Sequence, residues 1–128
     1  MTPLTLTPTA TTAVETFFAA WNAADLESLQ ELADRNVVIN DIAGLLYTHD
    51  VYVGHAGLAE AVRELETRWD RVEMRVVDTE VDNDGTVLAV LNVAFTKHAM
   101  SFDADIPVIC ELQDGLVVAV ADGSAYVD

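Results

Sequence analysis

The hydrophobic pattern of this chain changes period near residue 71, and that change bounds the folds open to it. Before it, Val14, Phe17, Phe18 and Trp21 recur at i, i+3, i+4 and i+7, which gathers four large side chains on one helical face. After it, Val72, Met74 and Val76 alternate with Glu73 and Arg75, the period of a half-buried strand. Helices first and strands afterwards predict an α+β domain, with helices packed on one face of a mostly antiparallel sheet.

The elements follow from finer signals. Thr12 and Glu15 have capping-box spacing, so the first helix is expected to start near residue 12, behind a loose Thr/Pro-rich arm over residues 1–11. "NAAD" interrupts it, Asp25 caps a restart, and Leu26, Leu29 and Leu32 keep the helical period. Residues 37–41 ("VVIND") read as a buried strand that ends on a carboxylate. "IAGLLYTHDVYVGHAG" has no sustained period and is expected to be a long loop with room for one short strand. Leu58, Val62, Leu65 and Trp69 then step by four, three and four, the stripe of a third helix with Glu60, Arg63, Glu64, Glu66 and Arg68 on its wet side. Beyond the "DNDG" turn at 82–85, strands are expected over 86–99, 104–112 and 116–127, with "QDG" closing the last hairpin. Residues 12–128 make one domain, since 128 residues leave no room for a second core.

Charge excludes several classes of partner. With 22 acidic against six basic side chains and a net charge of −16, the chain lacks the cations that nucleic acid or an anionic membrane surface requires. The start carries no basic, apolar leader, and no run of about 18 apolar residues exists to span a bilayer. Cys110 is alone in an apolar run, so no intrachain disulfide can form, and a buried thiol in a cytoplasmic protein is expected. His49 and His55, six apart, do not make a metal-ligand pair, and no Gly-rich phosphate loop or nucleophile elbow occurs. Chemistry without metal or cofactor is therefore expected.

What remains is polar residues in apolar phases. Leu88, Val90, Asn92, Ala94, Thr96 and His98 share one face of a strand, which directs Asn92 and His98 toward an interior. Asp122 interrupts a last strand apolar in both phases. Asp41 follows Val37, Val38 and Ile39 and precedes Ile42, surroundings expected to disfavour its charged form and suit it to proton transfer. Tyr47 and His49 lie in the loop that would border such a site.

The segments "VETFFAAWNAADLESLQELA", "VVINDIAG", "YVGHAGLAEAVREL" and "VICELQDGLVVAVAD" resemble the SnoaL-like branch of the nuclear-transport-factor-two-like superfamily over nearly the whole chain. The resemblance implies a cone-shaped α+β barrel, in which three helices pack on a curved sheet around an apolar pocket, and a homodimer formed through that sheet. Asp41 sits where the similar ketosteroid isomerases place their proton-shuttling carboxylate. Their oxyanion donors, a Tyr and an acid, correspond to Phe17 and Ile109, so that donor pair is not implied here. In limonene epoxide hydrolase the closing strand carries an acid where this chain has Asp122, whereas its Arg and Asp pair on the preceding strand has no match near "VLNVAFTKH", where Asn92 is the nearest polar substitute. SnoaL-type polyketide cyclases need only a carboxylate, sometimes with a His, around an apolar polycycle. The resemblance thus implies a cofactor-independent isomerase, cyclase or lyase acting on a polyketide-, terpenoid- or steroid-like molecule. Asp41, Asp122 and His98 would be its catalytic groups, and Phe17, Trp21, Tyr47, Trp69, Asn92 and Ile109 would line the pocket. The alternatives are an epoxide hydrolase and a non-catalytic binding or dimerisation module of the same fold.

Overall fold

In the computed structural model, which describes residues 10–40, 51–82 and 84–123, the apolar stripe of the first helix is buried as its spacing requires. Helix α1 (Ala10–Asn22) turns Val14, Phe17, Phe18 and Trp21 into the core. Phe17 meets Phe18 edge-on at 5.3 Å and Trp21 at 5.9 Å. Thr12 is inside the helix, where its carbonyl accepts the Thr16 hydroxyl at 2.8 Å, so the capping-box start is corrected. Ala10 and Thr11, assigned above to the arm, are helical, and the arm's residues 1–9 lie outside the described residues.

The "NAAD" break ends α1 with Ala24 in a left-handed conformation, φ 54°. Asp25 N–H donates to the Ala20 carbonyl at 3.0 Å and Ala24 N–H to that of Trp21 at 2.9 Å, the paired bonds of a Schellman stop. Asp25 then caps α2 (Leu26–Leu32), accepting the Ser28 hydroxyl at 2.7 Å and the Ser28 N–H at 3.2 Å. These bonds, the hydroxyl's first, hold its carboxyl below the ordinary 3.8.

The remaining elements are β1 (Ala33–Asn40), β2 (Val51–Val53), α3 (Gly54–Arg68), β3 (Arg71–Val81), β4 (Val87–Lys97), β5 (Met100–Gln113) and β6 (Leu116–Asp122). They form a six-stranded sheet in the order β2-β1-β6-β5-β4-β3, open at β2 and β3 and antiparallel except where β1 runs parallel to β6. Helix α3 lies against β1 and α1 against β3, both on one side of the sheet. Gly57 permits the approach of α3 to β2, because a Cβ there would stand 2.9 Å from the Tyr52 carbonyl carbon. On the far edge the Asn22 side chain accepts the Met74 N–H at 2.7 Å and donates to the Met74 carbonyl, standing in for a neighbouring strand.

Three sequence expectations about the strands change. The helix-facing phase of β4 is Val87, Ala89, Leu91 and Val93, all fully buried, so Leu88, Val90 and Asn92 face the other way. In β6 a bulge at Val118 lets both Val117 and Val120 turn inward, which explains why both phases of that strand are apolar. His98 and Ala99 are not strand residues but the two central positions of the β4–β5 hairpin turn, with φ 53° and 66°. Neither is Gly or Asn, and a left-handed backbone costs such residues roughly 1–2 kcal/mol. Asp70 holds the turn: its carboxylate accepts the His98 N–H at 2.9 Å, and its own N–H donates to the Thr96 carbonyl at 2.9 Å. Ala99→Gly is therefore expected to raise the urea-unfolding free energy by about 0.5–1 kcal/mol, after the extra unfolded-state entropy of Gly is subtracted; an unchanged or lower value would remove the strain from the turn.

Cys110 is fully buried on β5, and burial pushes its thiol from 9.0 up to about 12. The protonated thiol is thus favoured in the fold. Its contribution to stability is whole below pH 9 and is lost as pH rises from 9 toward 12, at roughly 1 kcal/mol per pH unit. The stability difference between the native chain and Cys110→Ala is expected to narrow or reverse with that slope between pH 9 and 10.5 in urea titrations, whereas a pH-independent difference would show the thiol to be solvated. Among the described residues no helix is long and apolar enough to cross a membrane.

Candidate functional site

The helix-facing side of the sheet is apolar throughout its buried part, with no buried polar or charged residue among those described. One set of polar groups beside that interior stands at the end of the sheet where β1 finishes. Ile39 and Val120 are register partners, both fully buried, and the Asn40 amide next in the chain donates to the Val120 carbonyl at 3.3 Å. Two residues beyond Val120 comes Asp122, register partner of the fully buried Val108. Directly paired residues of an antiparallel ladder share a face, so Asp122 has the helix-facing phase, while its position at the strand end leaves it exposed and also bordering the open groove by Leu88, Ile109 and Ala121 on the other face. Asp41, Tyr47 and His49 lie outside the described residues.

Sequence phase alone does not bring the other candidates to this place. His98 sits in the β4–β5 turn, which joins β5 at Met100, eight positions before Val108, the partner of Asp122, or roughly 25 Å of strand at about 3.3 Å per residue. The two do not converge on one reacting atom. Asn92 points away from the helices and donates to the Asp105 carboxylate at 3.0 Å, so its expected place inside the cone is corrected. Ile109 is corrected likewise: it lies between Leu88 and Ala121 in a row on the outer face. Both errors have one cause, since β4 and β5 are apolar on both faces and only their cross-strand neighbours decide which face is inner.

Of the described aromatic candidates, Phe17 and Trp21 are inside and Trp69 is half-buried. Phe17 is fully buried and Trp21 nearly so, and the Trp21 indole N–H is buried with no hydrogen-bond partner among the described residues. Trp69 follows α3, packs on Phe95 at 4.6 Å with the Lys97 ammonium 5.9 Å from its ring, and also buries an indole N–H that has no partner among the described residues. A buried donor left without an acceptor costs about 1–3 kcal/mol, so each is a site where an incoming oxygen would be favoured. The sequence reading missed Tyr52, buried beside Ile39, whose hydroxyl donates to the Glu64 carboxylate on α3. The alternation of "VYV" was its signal, hidden within an otherwise aperiodic loop.

Comparison with known proteins bears on this arrangement directly. The family model for the SnoaL-like domain matches residues 14–120. The chain belongs to the SnoaL-like domain family. Three solved structures share the fold at low identity. Bal32a, from a soil-derived mobile gene cassette, superposes with a TM-score of 0.76 at 17% identity, covering 87% of this chain and 85% of that one. TerC, co-crystallised with polyporic acid, gives 0.76 at 16% identity over 91% and 94% of the two chains. SalBIII, an epoxide hydrolase/cyclase-like enzyme in pyran ring formation in the polyether salinomycin, gives 0.71 at 19% identity over 87% and 86%. No curated protein matches the sequence. In this SnoaL-like chain, three helices on a six-stranded mixed sheet reproduce the cone-like α+β fold of these neighbours.

Proposed function

We propose that this SnoaL-like protein is a cofactor-independent acid/base enzyme of the cyclase or isomerase type, acting on an apolar, polyketide-like ketone. Asp41 moves the proton and Asp122 is its partner. The observation that carries this reading is the inward phase of Asp122 at the end of the sheet where β1 stops, beside the Asn40–Val120 bond. Val37 and Ile39 face the helices, and residue 41 continues that period of two in the sequence. The ligands of structural neighbours add support, since TerC was crystallised with polyporic acid and SalBIII acts in pyran ring formation.

In this mechanism the carboxylate removes a proton α to a carbonyl and returns it to another atom of the same molecule, while the apolar walls exclude water. The negative charge developing on oxygen needs a donor. Neither Phe17 nor Ile109 can supply one, and the indole N–H of Trp21, which has no partner among the described residues, is the buried donor offered by α1. The test is catalysed exchange of the α-protons of 2-tetralone in deuterated buffer. Exchange faster than buffer alone, saturating with ketone concentration, is the expected result; a rate equal to buffer while the ketone binds would leave a binding protein. That second reading has its own observation, the wholly apolar buried core of the described residues. The epoxide hydrolase alternative loses support, because Asn92 faces outward and cannot join Asp122 in holding a water.

A further inference from the structure

The helix-facing phase of β4 runs through Val87, Ala89, Leu91, Val93 and Phe95 and ends on Lys97, the one basic side chain in that phase. The Lys97 ammonium donates to the Arg68 carbonyl at 2.5 Å, closing the end of α3, and stands 5.9 Å from the Trp69 ring. An ammonium has three donors. Among the described residues no carboxylate takes either of the other two, in a chain with 22 acids.

Beside that cation lies a strip of rings. Phe95 packs on Trp69 at 4.6 Å and stacks on Phe102 at 5.6 Å, with 24° between the planes. On β5 the same phase is buried from Ile106 to Cys110, whereas Phe102 is 45% exposed and Met100, register partner of Lys97, is 60% exposed. The Trp69 indole N–H, buried with no partner among the described residues, adds a donor to the strip. Open aromatic and thioether surface next to an ammonium that no carboxylate neutralises suits a ligand that is flat, apolar and anionic. A neutral ring would leave the ammonium donors unused, and a cation would meet like charge. We propose that this strip binds a planar aromatic carboxylate, its rings on Phe102 and Phe95 and its carboxylate on the Lys97 ammonium. Lys97 pairs with Met100, eight positions along β5 from Val108, the partner of Asp122, so this is a second ligand site, separate from the proposed proton transfer.

The probe is 2-naphthoate, titrated into the full chain and followed by amide and methyl NMR. Saturable shifts are expected at Met100, Phe102 and the Trp69 indole, with an affinity that falls as salt rises. The native chain should bind 2-naphthylmethanol about tenfold more weakly than the acid, since the alcohol keeps the rings and lacks the charge. Lys97→Gln keeps a donor for the Arg68 carbonyl and should weaken binding of the acid about tenfold, with Lys97→Arg within about threefold of native. Phe102→Ala should weaken it about fivefold, and these variants should retain the circular dichroism spectrum and 2-tetralone exchange of the native chain. The comparison of acid with alcohol needs no variant, so it decides even where a substitution disturbs the fold. Equal affinity for acid and alcohol, no saturable binding, equal affinity of Lys97→Gln, or shifts centred on Ile39 and Val120 would each overturn the proposal. Self-association in sedimentation that excludes the acid and is lost in Phe102→Ala would assign the strip to a second copy instead. None of the binding readouts needs turnover, so failure here leaves the proposed chemistry untouched, and absence of 2-tetralone exchange leaves this site standing.

Discussion

Asp41→Asn is expected to slow the exchange of 2-tetralone α-protons by about 10²–10⁴-fold, the range that a positioned general base contributes, while changing the affinity for the ketone by no more than about twofold. The amide keeps the volume and polarity of the carboxyl but cannot accept a proton at neutral pH, so binding and fold survive while chemistry does not. Asp122→Asn is expected to give a smaller loss, because a partner carboxylate tunes the proton transfer without receiving the substrate proton. Rates and titrations measured on the same samples separate the two effects. Full exchange activity in Asp41→Asn would remove that residue from the mechanism. Loss of activity together with loss of ketone binding would make it a packing or binding group.

The second large effect is on stability. Phe17→Ala is expected to cost about 3–5 kcal/mol in urea unfolding, because the ring is fully buried and contacts the rings of both Phe18 and Trp21. Truncation removes apolar area and leaves a cavity that neighbours on a helix and a sheet cannot collapse to fill. Phe17→Leu is expected to recover more than half of that loss. A cost below about 1 kcal/mol for the Ala variant would mean that the space beneath α1 is loosely packed, contrary to the contacts seen.

The parts of this fold legible in sequence were those set by short-range physics. The α1 stripe, the cap at Asp25 and the restart after "NAAD" depend on residues within one or two helical turns, and the structure has each of them. The Asp114–Gly115 turn was equally plain, since its two left-handed positions, φ 54° and 81°, suit those residue types. The His98–Ala99 turn has the same backbone without the residues that announce it; Asp70, 28 positions away, supplies the restraint. The phase of β4 was misread because Leu88 and Val90 are as apolar as Ala89 and Leu91. Only the pairing of Leu91 with Ile106, both buried, reveals the inner face. For the same reason Asn92 and Ile109 looked like pocket residues and are not, whereas Asp122 regained an inward phase through the bulge at Val118. The two-pronged bond of Asn22 to Met74 spans 52 positions and leaves no local trace.

The sharpest test asks which side of the sheet holds the ligand. Intermolecular NOEs between bound 2-tetralone and the protein should reach the methyl groups of Ile39 and Val120 and the indole proton of Trp21, all on the helix-facing side. NOEs confined to Leu88 and Ile109 on the opposite face, or none at saturating ketone, would show that the interior is a filled core and that no proton is moved there.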